Sequence, residues 1–412
     1  MRRILVIILA VLLVIAVVVA VWYFFLRPKT PGITVGTGQN PFGETGSPVG
    51  GGGGTGGSGS DTGTAGTTAT EVAPHLFRIT DGPVAYGEVV RNFLKSAPVA
   101  NASSSAATAT TSDTEVRYVE RQSGNLFSFD LGAKTLARLS NRTLPGIEEA
   151  SWAPDGSMAL LRFLSDDANG GHIDTFALPE SGEGGFLLEQ NLSQAFVAGS
   201  STLVTLLPSS SGSIATAAKL DGTSAKTVFS SPVSSLRLFP AGKGYFAYTK
   251  ASSQTNGYGF VVGADGSFDR ALGPLRGLTA LPSPSGKAVA YSYLSGSAVT
   301  AGLFDTTTRA ATSLPVAILP EKCVWAADEA SLYCAVPRAM NGTWPDAWYE
   351  GTSQFSDRIW KIDLAARTAI LVVDPAQVAG TDIDAVSLAI DPQSDLLVFV
   401  NRRDGSLWAY DL

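Results

Sequence analysis

Over most of this chain, apolar residues fall into short runs with alternating or continuous hydrophobicity, broken by clusters of Gly, Ser, Asp and Pro. That period reads as strands, and beyond residue 30 no stretch keeps a helical 3.6-residue pattern over three turns. Five segments, Glu148–Phe163, Leu192–Pro208, Val233–Lys250, Gly277–Tyr293 and Pro320–Pro337, share one layout of apolar strand, short turn and second apolar strand. Trp152, Phe196, Leu238, Pro282 and Trp325 hold comparable places in them, at spacings of 42 to 44 residues. A sixth copy, Asp384–Arg402, follows after a longer interval.

A period of this length suits the blades of a β-propeller and no helical repeat. The turn Pro154-Asp155-Gly156 presets φ with proline, offers a local acceptor in aspartate and tolerates positive φ at glycine. Further short strands follow each hairpin, at Asn125–Leu131, Gly302–Leu314 and Arg358–Val373, which completes a four-stranded blade. The fold class expected is therefore all-β, a propeller of seven blades, or of six if the region before Glu115 packs otherwise. The last repeat supplies only three strands, so the segment His75–Thr80 is expected to pair beside its last strand and close the ring. The propeller is placed at residues 71–412, with a low-complexity loop at 97–113 in its first blade.

The hairpin layout, clearest in Trp152-Ala153-Pro154-Asp155-Gly156, resembles the TolB-type, WD40-like propeller repeats of bacterial cell-envelope proteins, over roughly residues 115 to 412. The resemblance implies a fold and an envelope setting. The Trp-x-Pro-Asp-Gly element is a turn device and names no reaction.

Residues 1–3 form a short stub, and Ile4–Leu26 is an unbroken apolar run. As a helix it would extend ~34 Å, enough for a ~30 Å hydrocarbon core. It is longer than a signal-peptide core and ends in Trp22-Tyr23-Phe24-Phe25, which favours an uncleaved transmembrane helix at 4–26. Residues 27–70 are rich in Gly, Ser, Thr and Pro, the composition of a flexible linker. The localisation expected is the cell membrane, single-pass, with the C-terminal propeller outside the cytoplasm.

Charge and chemistry narrow the functions. A net charge of −7 with no Lys/Arg run after Lys29 argues against nucleic acid. Cys323 and Cys334, on the two strands of one hairpin, could form a disulfide outside the cytoplasm if they share a non-hydrogen-bonded pair. His75 and His172 are the only histidines, neither at metal-ligand spacing, and no metal or other cofactor is expected. Asp382, Asp384, Asp391 and Asp395 match no calcium loop and read as turn aspartates. No G-x-S-x-G elbow, P-loop or H-E-x-x-H motif occurs.

The one long departure from the repeat, Arg338–Asp357, lies between the second and third strands of its blade. Its Trp344, Asp346, Trp348, Tyr349, Glu350 and Phe355 form the candidate binding set, because aromatics give stacking area and carboxylates give orientation. The competing expectation is a plug folded over the channel with its aromatics buried. The function expected is a membrane-anchored propeller that binds an envelope protein, or a glycan, as a scaffold. The alternative is a propeller-type hydrolase or lyase acting on extracellular polysaccharide or peptide.

Overall fold

The computed structural model describes residues 69–96, 110–167, 170–340, 343–393 and 395–412. The expected helix 4–26 and the linker as far as residue 68 lie outside them, and no helix among the described residues is long and apolar enough to cross a membrane.

The chain opens with β1 (Thr70–Ala73) and β2 (Leu76–Arg78). Blade 1 is β3 (Val89–Ser96), β4 (Thr110–Val119), β5 (Leu126–Asp130) and β6 (Thr135–Arg138). Blade 2 is β7 (Ile147–Trp152), β8 (Met158–Asp167), β9 (Gly170–Pro179) and β10 (Phe186–Leu187). Blade 3 is β11 (Gln194–Ala198), β12 (Thr202–Ser209), β13 (Gly212–Lys219) and β14 (Lys226–Ser231). Blade 4 is β15 (Leu236–Ala241), β16 (Gly244–Thr249), β17 (Asn256–Val262) and β18 (Phe268–Arg276). Blade 5 is β19 (Thr279–Pro282), β20 (Ala288–Ser295), β21 (Ala298–Asp305) and β22 (Ala311–Ser313). A 3-10 turn, η1 (Pro320–Lys322), leads into blade 6, which is β23 (Cys323–Trp325), β24 (Ser331–Pro337), β25 (Asp357–Asp363) and β26 (Thr368–Val373). Short helices α1 (Asp346–Tyr349) and α2 (Pro375–Val378) sit between its strands and after them. Blade 7 is β27 (Ala385–Ile390), β28 (Leu396–Asn401) and β29 (Leu407–Asp411), joined by β2 and then β1 in the order β1-β2-β29-β28-β27.

Every blade is an antiparallel meander, and first strands of neighbouring blades, as β7 and β11, β15 and β19, or β23 and β27, lie beside one another around the channel. β2 pairs with β29 in the register Leu76↔Tyr410, Phe77↔Ala409, Arg78↔Trp408, so the two ends of the described propeller meet in one sheet. Trp152, Phe196, Leu238, Pro282 and Trp325 all lie on the first strands of their blades. β3 and β4 pair as far as Ser96↔Thr110, so Thr110–Asp113, expected within the loop 97–113, belong to β4. The tetrad Thr110-Thr111-Ser112-Asp113 starts with β-branched residues, which the ladder accepts despite the low complexity of the stretch.

The hydrophobic core is divided between neighbouring blades. Leu126 of blade 1 packs with Leu161 and Leu178 of blade 2, and Leu206 of blade 3 with Leu236 and Leu238 of blade 4. Each such fully buried aliphatic side chain is worth roughly 1.5–3 kcal/mol of transfer free energy. Charge also joins blades. Arg117 of β4, nearly buried, donates to the Gly156 carbonyl at 2.8 Å, and Arg91 of β3 donates to the Asp155 carbonyl at 2.7 Å. The blade 2 turn is thereby held to blade 1. Gly156 has φ +73, and a Cβ there would approach the Arg117 side chain to 3.3 Å, so glycine serves both the turn and the contact.

Candidate functional site at the channel mouth

Strands alternate in direction within a blade, so connections into the first strands and connections from second to third strands open at the same end of the channel. That mouth gathers η1, residues 338–356, the chain before β27, and the β28–β29 turn.

Residues 343–356 fold inward there. Trp344, Trp348 and Phe355 are buried, at 5%, 7% and 3% exposure, in the core cluster that also holds Val84, Leu319, Val386 and Leu407. Trp344 and Trp348 ring centroids are 5.5 Å apart, and Trp348 stacks on Phe355 at 6.4 Å and 15°. These three therefore offer no open stacking face and are packed as a plug would be. Indoles and phenyl rings bury too much apolar surface to stay in water when a groove lies within reach.

Beneath the plug lies an ionic group with no exposure at all. Lys322, Asp357 and Asp384 have side chains at 0% exposure. The Lys322 ammonium contacts Asp357 Oδ2 at 2.8 Å and donates to Asp384 Oδ1. It also lies 5.3 Å from the Trp348 ring centroid and 5.4 Å from that of Phe355. Backbone donors add to these contacts: Ala385 N–H donates to Asp357 Oδ2 at 2.7 Å and Phe355 N–H to Asp384 Oδ2 at 3.1 Å, while Asp357 Oδ1 is buried without a hydrogen-bond partner among the described residues. Burial pushes the Asp357 carboxyl up to about 6, against the pull of Lys322.

A second acidic group is met from the same side. Tyr349 donates its hydroxyl to Glu321 Oε1 at 2.6 Å, and Tyr248 of blade 4 reaches the same oxygen at 3.5 Å. Burial raises the Glu321 carboxyl, while these hydroxyls lower it. Burial, then the Glu321 charge, raises the Tyr349 hydroxyl, so it stays protonated and donating. The Arg402 guanidinium lies over Trp348 at 4.7 Å. Asp346 Oδ2 accepts from Ser253 N–H at 2.7 Å, which ties α1 to blade 4. Burial would raise the Asp346 carboxyl, but hydrogen bonds from Ser253 and Ser252 hold it below the usual range.

The expected binding set thus divides. Trp344, Trp348 and Phe355 are plug, whereas Asp346, Tyr349 and the exposed Glu350 line a hollow of about 350 Å³ with Ser235, Lys250, Ala251 and Ser252. Cys323 and Cys334 are directly paired across β23 and β24, with Cα atoms 4.1 Å apart, and form a disulfide. Of the turn aspartates, Asp391 accepts from the Asp395 and Leu396 amides and Asp382 from the Ser356 hydroxyl, whereas Asp384 belongs to the buried ionic group.

Glu321, Lys322 and Arg402 are not among the residues expected from the sequence. A faint signal exists, since Pro320-Glu321-Lys322 puts two charges immediately before a strand whose Cys323 and Trp325 are apolar.

No protein-family model and no curated protein matches the chain. Solved structures do. An oligogalacturonate lyase in complex with manganese superposes with a TM-score of 0.51 at 10% identity, covering 80% of this chain and 98% of that one. The chain is a seven-bladed β-propeller. Its structural neighbours include the Cps50 (Swd1) β-propeller domain of Myceliophteria thermophila, with a TM-score of 0.47, 10% identity and coverage of 72% and 93%. TolB from Acinetobacter baumannii is another, with a TM-score of 0.41, 11% identity and coverage of 68% and 78%. At such identities the likeness is one of fold. Among the described residues of this propeller, no three His, Cys, Asp or Glu side chains converge to hold a metal ion, so the manganese of the lyase structure is not carried over.

Proposed function

We propose that this propeller is a membrane-anchored, extracytoplasmic scaffold of the cell envelope that binds a protein partner through the rim of its channel mouth. The observation that carries the reading is the plug. Lys322, Asp357 and Asp384, charges that could serve catalysis at the mouth, are paired with one another and with Ala385 N–H and Phe355 N–H, and Glu321 accepts from Tyr349. What faces outward is the hollow with Asp346, Glu350 and Lys250, a polar rim suited to docking. The Cys323–Cys334 disulfide supports an oxidising compartment, and the apolar run Ile4–Leu26 supports the anchor.

The test is photo-crosslinking in intact cells from Glu350→p-benzoylphenylalanine in the full chain. A discrete adduct with one envelope protein, lost on charge reversal of Lys250, is the expected result. An absence of adducts at Glu350, together with turnover of an extracellular polysaccharide or peptide by the purified chain, would instead establish the hydrolase or lyase reading.

A further inference from the structure

The channel has a second feature, bordering the plug's core at Tyr86, where a buried carboxyl has no matched cation among the described residues. A cleft of about 520 Å³ is bordered by the chain entering β3, by β7 and by Ser387 of β27. That size falls within the range of small-ligand sites. Its walls are fixed: Tyr86 N–H donates to the Glu148 carbonyl at 3.2 Å, and Ala150 N–H donates to the Tyr86 carbonyl at 2.7 Å. Gly87 between them has φ +105, and a Cβ there would fall 1.7 Å from the Ala150 carbonyl oxygen. Only glycine permits this approach of blade 1 to blade 2. The next residue is Glu88.

Glu88 lines the cleft, both its carboxyl oxygens are shielded from solvent, and neither accepts a hydrogen bond. Burial pushes its carboxyl well above the usual range. The two other carboxylates of the cleft are already matched, Glu148 by Arg121 and Glu149 by Arg162. One carboxyl with two open acceptor sites is left, in a pocket walled by Tyr86 and Trp152. A buried acceptor pair without donors needs an explanation, because the fold alone would be better served by an amide or an aliphatic group.

We infer that this cleft receives a guanidinium group, presented by an arginine side chain of the partner, with Glu88 as its counter-ion. A guanidinium carries donors only, in a planar fork that meets both oxygens of one carboxylate, and its flat faces suit aromatic walls. A hydroxyl supplies one donor and no charge. The inference deepens the scaffold reading, since arginine anchored in a pocket is a recurrent interface hot spot.

The experiment is calorimetric titration of the full-length chain in detergent with acetyl-Gly-Arg-Gly-amide, its citrulline and lysine counterparts, and ethylguanidinium. The arginine peptide is expected to bind on the order of tenfold or more tighter than the citrulline and lysine peptides. Glu88→Gln, which keeps the side-chain volume, is expected to remove that preference while the melting temperature holds. Equal binding of arginine and citrulline peptides, no heat from any probe at millimolar concentration, or unchanged binding by Glu88→Gln overturns the inference. The citrulline comparison leaves the protein unaltered, so a folding defect cannot imitate the result. Ethylguanidinium binding as tightly as the peptide supports the site and assigns it to a small guanidinium compound. A crosslinked partner at Glu350 without arginine preference leaves the scaffold reading standing and this site refuted.

Discussion

Lys322 with Asp357 and Asp384, and Glu88 with its cleft, are two ways in which one channel holds buried carboxyl groups. At the first, each aspartate has an ammonium and a backbone donor, and aromatic rings seal the group from water. At the second, the carboxyl has no cation and faces a cavity. A matched buried ion is architecture, because removing one partner strands the other. An unmatched one costs stability as it stands, so its replacement should be benign to folding and harmful only to binding.

The comparison breaks most visibly at Lys322. Lys322→Met leaves Asp357 and Asp384 facing each other without a cation, and a loss of about 3–5 kcal/mol is expected in denaturant unfolding. A loss under about 1 kcal/mol would place the two sites in the same class. Next comes the disulfide beside it. Cys323 and Cys334 are separated by 11 residues, and closing a loop of that order is worth about 2–3 kcal/mol. The double Cys→Ala variant should lose about that much, and reduction of the parent chain should match it. At Glu88 the sign turns: Glu88→Leu should leave unfolding free energy unchanged or raise it by about 1 kcal/mol. A loss of more than about 2 kcal/mol would show that Glu88 has a structural partner after all.

Legibility in the sequence followed the same division. The repeat exposed the blades because each contributes an apolar first strand that packs on its neighbour, and the period of Trp152, Phe196, Leu238, Pro282 and Trp325 records that packing. The excess length at 338–356 marked the mouth, yet composition could not separate a stacking platform from a plug, since Trp344 and Trp348 suit either. Glu88 was invisible. Its meaning comes from Gly87 fitting against Ala150, a contact between blades that no local pattern encodes. Lys322 was missed for a related reason: a lysine reads as surface until two aspartates from later strands, Asp357 and Asp384, enclose it.

The smallest expected effect is a slope with pH, and it comes from Asp357. Its carboxyl is raised from 3.8 to about 6 in the folded chain, chiefly by burial. Between those values the folded state holds more protons at this site than the unfolded state, so stability falls as pH rises. The contribution is fully present below about 3.8 and lost as pH passes through about 6. Carboxylates held low, such as Asp346 and Asp374, act in the opposite sense and lose their contribution as pH falls, so the parent curve alone mixes the two. The difference between the parent and Asp357→Asn removes that background, because both chains carry the other groups. The difference should decline across pH 4 to 6 and be flat above it. A difference that instead grew with pH across this window would mean that Lys322 prevails over burial at Asp357, and the sealed group would then behave as an ordinary ion pair.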